Sequence, residues 1–184
     1  MTDFPPLLIG ALLTSYLLVG PLAPAGETGS PIARLRTLGP ASAGLIAVAA
    51  PLAWCLEAGL LGPLQGQDLR LFLHVPLLAA LAWCGAALWR RWRPETAPAV
   101  APLWLNGAGL GAMQGALNRP DLPAALGLGL VAGLGFWLAS RLLADLLERL
   151  SQADVPGPLR GAPSVLVAAG LLGLAFLGLE GFAP

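Results

Sequence analysis

The chain has 184 residues, of which 57% are hydrophobic and 11% charged, with zero formal net charge and a mean hydropathy of +0.75. A soluble domain coats its surface with about twice that share of charge, so the composition excludes an ordinary water-soluble fold and points to lipid as the solvent. All ten basic residues are arginines, spread along the chain, which leaves no basic patch for nucleic acid and no acidic tail. The 24 glycines and 18 prolines sit inside apolar runs, where membrane helices tolerate them.

Six apolar runs follow one another. The first, Leu7 to Leu22, is broken at its end by Pro21 and Pro24. It reads as a first span rather than a signal peptide, because no positive region precedes it and no small-residue cleavage site follows. A polar stretch from Gly26 to Pro40 carries Glu27, Arg34 and Arg36 and is expected to be a loop. The second run is Ala41 to Leu61, ended by Gly62 and Pro63. A short turn with Gln65, Gln67, Asp68 and Arg70 leads to the third run, Leu71 to Trp89. Arg90, Arg91, Trp92 and Arg93 then form a basic, aromatic edge of the kind found at a headgroup boundary. The fourth run, Ala99 to Leu117, contains Asn106-Gly107-Ala108-Gly109-Leu110-Gly111, a poor helix by propensity. After the turn Asn118 to Asp121 comes the fifth run, Ala124 to about Leu146. The segment Leu147 to Arg160 leads to the sixth, Pro163 to Phe182. Each run approaches the roughly 20 residues that cross a bilayer, and none alternates as a barrel strand would. The predicted fold is therefore an all-α membrane protein with six transmembrane helices in a single domain, 1–184.

The first, third and fifth loops hold seven arginines and the second and fourth hold two, Arg70 and Arg119. The positive-inside rule then places the odd loops in the cytoplasm and both termini outside, in the periplasm. Spans one and four, the first of each set of three, are both interrupted by Gly or Pro. Three is odd, so two such sets form inverted repeats, about 1–93 and 94–184, and matching interruptions point to a site at the bilayer midplane. Close helix packing by small residues accounts for the same pattern equally well.

Glu57 in the second span and His74 early in the third both fall toward the outer face, near Asp68 and Arg70. Intramembrane ionisable groups often mark a point where an ion or proton enters. The more ordinary expectation is that both are wetted at the interface, and the same holds for Glu180. Arg141 and Asp145, four apart on one helical face, are expected to neutralise each other. Cys55 and Cys84 form no metal-spaced pair and are expected to be buried free thiols. Ser15, Tyr16, His74 and the carboxylates make no nucleophile–base–acid spacing, which argues against a hydrolase.

The last 50 or so residues carry a more specific pattern. Gly133-Leu134-Gly135-Phe136, Glu148-Arg149-Leu150, Ala153-Asp154-Val155-Pro156, Pro158-Leu159-Arg160-Gly161, Ala169-Gly170-Leu171, Leu174-Ala175-Phe176 and Gly178 follow in register without a gap. This resembles the RnfA subunit of the Rnf electron-transport complex, with its RERL-like turn, ADVPxPFRG stretch and apolar helix ending in AGLMSLAFMGF. Met1-Thr2-Asp3, Ile9-Gly10, Pro63-Leu64 and Leu69-Arg70 resemble the same family. The resemblance implies two inverted three-span repeats and an RnfE-type partner of the same fold in opposite orientation. It also implies membership of a complex that passes electrons between ferredoxin and NAD while moving sodium ions or protons across the inner membrane. In that family the two homologous subunits share one [2Fe-2S] cluster, each giving one cysteine from each interrupted span; four thiolates hold such a cluster. Here the chain departs from the pattern, because the matching positions are Ala23 and Gly107. Thr14-Ser15-Tyr16 stands where the family has an Asn-Asn pair, and Trp83-Cys84-Gly85-Ala86 where it has Gln-Phe-Thr-Glu. Glu148, Arg149, Asp154 and Arg160 match family residues and are expected to dock a cytoplasmic loop onto neighbours. The expectation is an RnfA-like subunit that scaffolds the complex, with no catalytic residue, metal or cofactor of its own. The alternative is a stand-alone transporter or channel for ions or small solutes that reuses the fold.

Overall fold

The computed structural model describes residues 31–63, 69–92, 106–154, 156 and 162–180. Five α-helices occupy them: α1 (Pro31–Leu56), α2 (Arg70–Trp92), α3 (Gly107–Leu117), α4 (Leu122–Gln152) and α5 (Ala162–Glu180). No strand occurs among the described residues. A helix satisfies its own backbone without water, which is what an apolar environment demands, and Pro40, Pro51 and Pro76 sit inside helices at the cost of a few internal bonds. Among the described residues three helices are long and apolar enough to cross a membrane: Leu35–Leu61, Arg70–Trp92 and Leu122–Gln152. The first apolar run, with Ala23, lies outside the described residues, as do Ser15, Tyr16, Asp68 and Arg160.

Two expected loops are helical instead. α1 begins at Pro31, so Arg34, Arg36 and Pro40 belong to a helix rather than to a polar connection. α4 runs on to Gln152 and takes Glu148 and Arg149 with it. The physical reason lies between these two ends. Arg36 Nη2 donates to Glu148 Oε2 at 2.6 Å and lies 3.5 Å from Asp145 Oδ1, so each helical extension gives the other its counter-charge. Asp145 therefore pairs across to α1, and the expected Arg141–Asp145 neutralisation on one face is replaced. With all three side chains nearly half exposed, such pairs contribute at most about 1 kcal/mol each.

α1 is the central helix. Ile46 and Ala50 pack with Ala112 and Ala116 of α3 and with Ala125, Ala132 and Phe136 of α4. Leu45, Ala49 and Ala53 pack on Leu78 and Ala82 of α2 and Met113 of α3. Leu35 joins Leu143 and Leu147 of α4 to Val165 and Ala168 of α5. The tightest approach is between α1 and α4. A Cβ on Gly133 would sit 2.6 Å from the carbonyl oxygen of Ala43, and one on Gly129 would sit 2.9 Å from that of Ala47. The contacts step by four residues in opposite directions, which makes the pair antiparallel with a small-xxx-small seam on each side.

Candidate functional site

α1 ends in a five-residue π turn, Glu57–Leu61, closed by the Gly62 N–H donating to the Glu57 carbonyl at 2.8 Å. The turn leaves Glu57 facing the start of α2, where Arg70 grips it. Arg70 Nε donates to both carboxylate oxygens at 3.0 and 3.1 Å, and Nη2 makes a further contact to Oε1. One turn further along the same face of α2 stands His74, the single histidine of the chain. It is fully buried. Its Nδ1 lies 3.2 Å from the side-chain amide nitrogen of Gln114 on α3, and its Nε2 has no hydrogen-bond partner. The expectation that His74 is wetted at an interface is therefore corrected. Glu57 sits in a part-buried ion pair, and His74 lies inside the helix packing, where an uncompensated polar atom costs about 1–3 kcal/mol.

A second polar feature lies where α3 begins. Asn106 is 1% exposed and caps α3: its Oδ1 accepts from the N–H of Ala108 at 3.2 Å and of Gly109 at 3.4 Å. The amide group of the same side chain has no partner. A helix thus starts inside the fourth apolar run rather than filling it, at the place where glycines weaken helix propensity. Gly109 lets α3 close on α2, since a Cβ there would meet Leu78 Cδ1 at 3.0 Å. At the other end of α3, Trp54 Nε1 donates to the Arg119 carbonyl at 3.2 Å. Asp121 caps α4 by accepting from Ala124 N–H at 2.9 Å.

Gly107, at the position the family resemblance gives to a ligand, is the first residue of α3 and offers no side-chain donor. The thiols do not replace it. Cys55 and Cys84 are exposed, not buried as expected. Cys55 is next to the end of α1, whereas Cys84 is fourteen residues into α2 from Arg70, roughly 20 Å along the helix at 1.5 Å per residue. Glu57, two residues after Cys55, meets Arg70 at the start of α2, whereas Cys84 lines a groove with Gly44 and Val48 of α1, so the two thiols lie at different levels of the α1–α2 pair. Among the described residues no three of His, Cys, Asp and Glu gather as a metal site. Sequence reasoning overlooked Gln114, the lone polar side chain inside α3, whose isolation in an apolar run was the available signal. It also missed Asn106 as a cap, which an Asn before a glycine-rich helix start announces.

No family model matches the chain. Curated relatives do. It is 34% identical to the RnfA subunit of the ion-translocating oxidoreductase complex of Cereibacter sphaeroides, with 80% of this chain and 79% of the relative covered. It is 35% identical to the corresponding subunit of Rhodobacter capsulatus, covering 78% and 77%. With that of Actinobacillus pleuropneumoniae it shares 32% identity over 98% of both chains. Identity at this level across nearly the whole length, on an all-helical apolar chain, places it: the chain belongs to the RnfA family, named for that subunit of the ion-translocating oxidoreductase complex.

Proposed function

We propose that this chain is a membrane-embedded subunit of an ion-translocating electron-transport complex of the ferredoxin:NAD oxidoreductase type, and that it scaffolds the complex without carrying a redox centre. The observation that carries the reading is the start of α3. There Gly107 supplies no ligand atom, while the neighbouring Asn106 turns its oxygen to the helix backbone at 3.2 and 3.4 Å. With Ala23 at the other family position, this chain offers neither of the two thiolates that a shared [2Fe-2S] cluster needs from it. An RnfE-like partner contributing two cysteines would then leave a half-ligated cluster in a dry site. The seam lined by Gly129 and Gly133 supports the architectural half of the reading. α1 and α4 hold the predicted second and fifth spans, and equivalent helices packed antiparallel are what two inverted repeats, about 1–93 and 94–184, would produce. In this reading six spans lie in the bacterial inner membrane with both termini periplasmic.

The test is purification of the intact complex in mild detergent, with mass-spectrometric identification of its subunits and with iron and paramagnetic resonance measured after reduction. A homologous partner subunit is expected to co-purify, and no [2Fe-2S] signal is expected from the pair. A stoichiometric [2Fe-2S] signal that survives Cys55→Ser and Cys84→Ser would defeat the scaffold reading. Reporter fusions at Pro184 that are active only in the cytoplasm would defeat the topology.

A further inference from the structure

The buried stripe of α2 runs through His74, Leu78, Ala82 and Ala86, and Arg70, four residues before His74, continues it at the start of the helix. The His74 ring is fully buried yet only half satisfied, since Gln114 meets Nδ1 at 3.2 Å and Nε2 has no partner. With the amide nitrogen donating to Nδ1, the neutral ring carries its proton on Nε2, so the orphan is an N–H donor. The charged groups that act on the ring are Glu57, from the π turn, and Arg70; α3 brings Gln114 and has no charged residue. Glu57 is bound by Arg70, and side chains four apart on a helix are neighbours that reach the same partner. Apolar side chains of similar shape at both His74 and Gln114 would cost little, so packing alone does not account for this pair.

We propose that His74 is a proton-binding site inside the helix packing and that, once protonated, it takes Glu57 from Arg70. The step moves one proton and no electrons. A proton from water bonds to the Nδ1 lone pair. Gln114 turns its amide over, so that Oε1 accepts from the new Nδ1–H where the amide nitrogen had donated; one amide holds both functions. Nε2–H, orphaned in the neutral ring, donates to the Glu57 carboxylate. Both ring nitrogens are then satisfied, and the imidazolium has a counter-charge, without which a buried cation is expensive. Arg70 is the partner able to leave. Its side chain is 34% exposed against 16% for Glu57, so its guanidinium can turn outward at the start of α2. Its release unties the π turn at the end of α1 from α2, which links the proton to the contact between two spans. The site stands on the chain's own residues and is independent of whether the complex carries electrons through it.

The experiment is nitrogen NMR of the full chain in lipid nanodiscs, labelled at histidine and purified without a histidine tag, so that the single histidine gives the whole signal. At high pH a neutral ring with its proton on Nε2 is expected. Lowering the pH should convert it in a one-proton transition to an imidazolium with both nitrogens protonated, while circular dichroism shows the helices intact. Glu57→Gln removes the counter-charge and should weaken proton binding roughly tenfold or more. Arg70→Gln leaves Glu57 to the ring and should strengthen it by a similar factor. A ring that stays neutral at every pH at which the chain is folded would overturn the proposal, whether or not the variants fold. So would a titration that neither variant moves, which is the behaviour of a histidine simply reached by water.

Discussion

α1 meets α4 and α2 meets α3 by opposite means. In the first pair, Gly129 and Gly133 bring one helix onto the backbone carbonyls of the other, with no polar side chain needed at those crossings. In the second, α3 carries Gln114 against the buried ring of His74, and a buried Asn106 starts the helix, with a polar atom on His74 and another on Asn106 left without a partner. The first contact is built from shape, and any added atom damages it. The second is built from hydrogen bonds that are incomplete, and completing or deleting them changes it in either direction. A membrane interior exaggerates this contrast, because apolar burial drives helices together weakly there and close packing and polar satisfaction do more.

Substitutions test the contrast in order of expected size. Gly133→Leu should be the most damaging, since its Cβ would overlap the Ala43 carbonyl oxygen and force the seam apart. A loss on the order of 3 kcal/mol is expected, read as a lowered unfolding midpoint by intrinsic tryptophan fluorescence in detergent. Gly127→Leu, where a Cβ meets nothing within 4 Å, is the matched control and should stay within about 0.5 kcal/mol of wild type. Next comes Gln114→Leu, which strips His74 Nδ1 of its partner and should cost about 1–3 kcal/mol. The double variant His74→Leu with Gln114→Leu removes both partners and should recover most of that loss. Simple additivity of the two single losses would show that the pair is not coupled. Asn106→Ala should then cost about 1 kcal/mol through the lost cap, and Asn106→Ser should cost less, because a hydroxyl still accepts from the first turn. Arg36→Gln is expected to have the smallest effect, below about 1 kcal/mol and shrinking as salt is raised. An effect as large as that of Gly133→Leu would mean that the charged ends, rather than the seam, hold α1 on α4.

The apolar runs that became α2, the middle of α4 and α5 were legible because hydropathy over some 20 residues measures the solvent a helix lives in. The beginning of α1 was not. Arg34, Arg36 and Pro40 look like a connection, since nothing local says that Asp145 and Glu148, more than a hundred residues later, will stand opposite Arg36. The same blindness made Arg141 the expected partner of Asp145, because spacing along one helix is visible and the neighbouring helix is not. The thiols show the converse: an apolar segment predicts a buried side chain in water, whereas on an apolar helix an outward face is equally apolar, and Cys55 and Cys84 are exposed.

The residues alone determined that this chain must be helical and lipid-dissolved, since so little charge cannot cover a water-soluble surface and only internally bonded backbone survives in hydrocarbon. They also determined the absence of cysteine at positions 23 and 107, a matter of identity that needs no coordinates. Which glycines face a neighbour's carbonyl, which arginine answers which carboxylate, and that the one histidine is sealed between α2 and α3 were decided by tertiary structure. These depend on the rotation and depth of each helix relative to the next, and an apolar stripe that runs nearly all the way round a membrane helix does not encode that rotation.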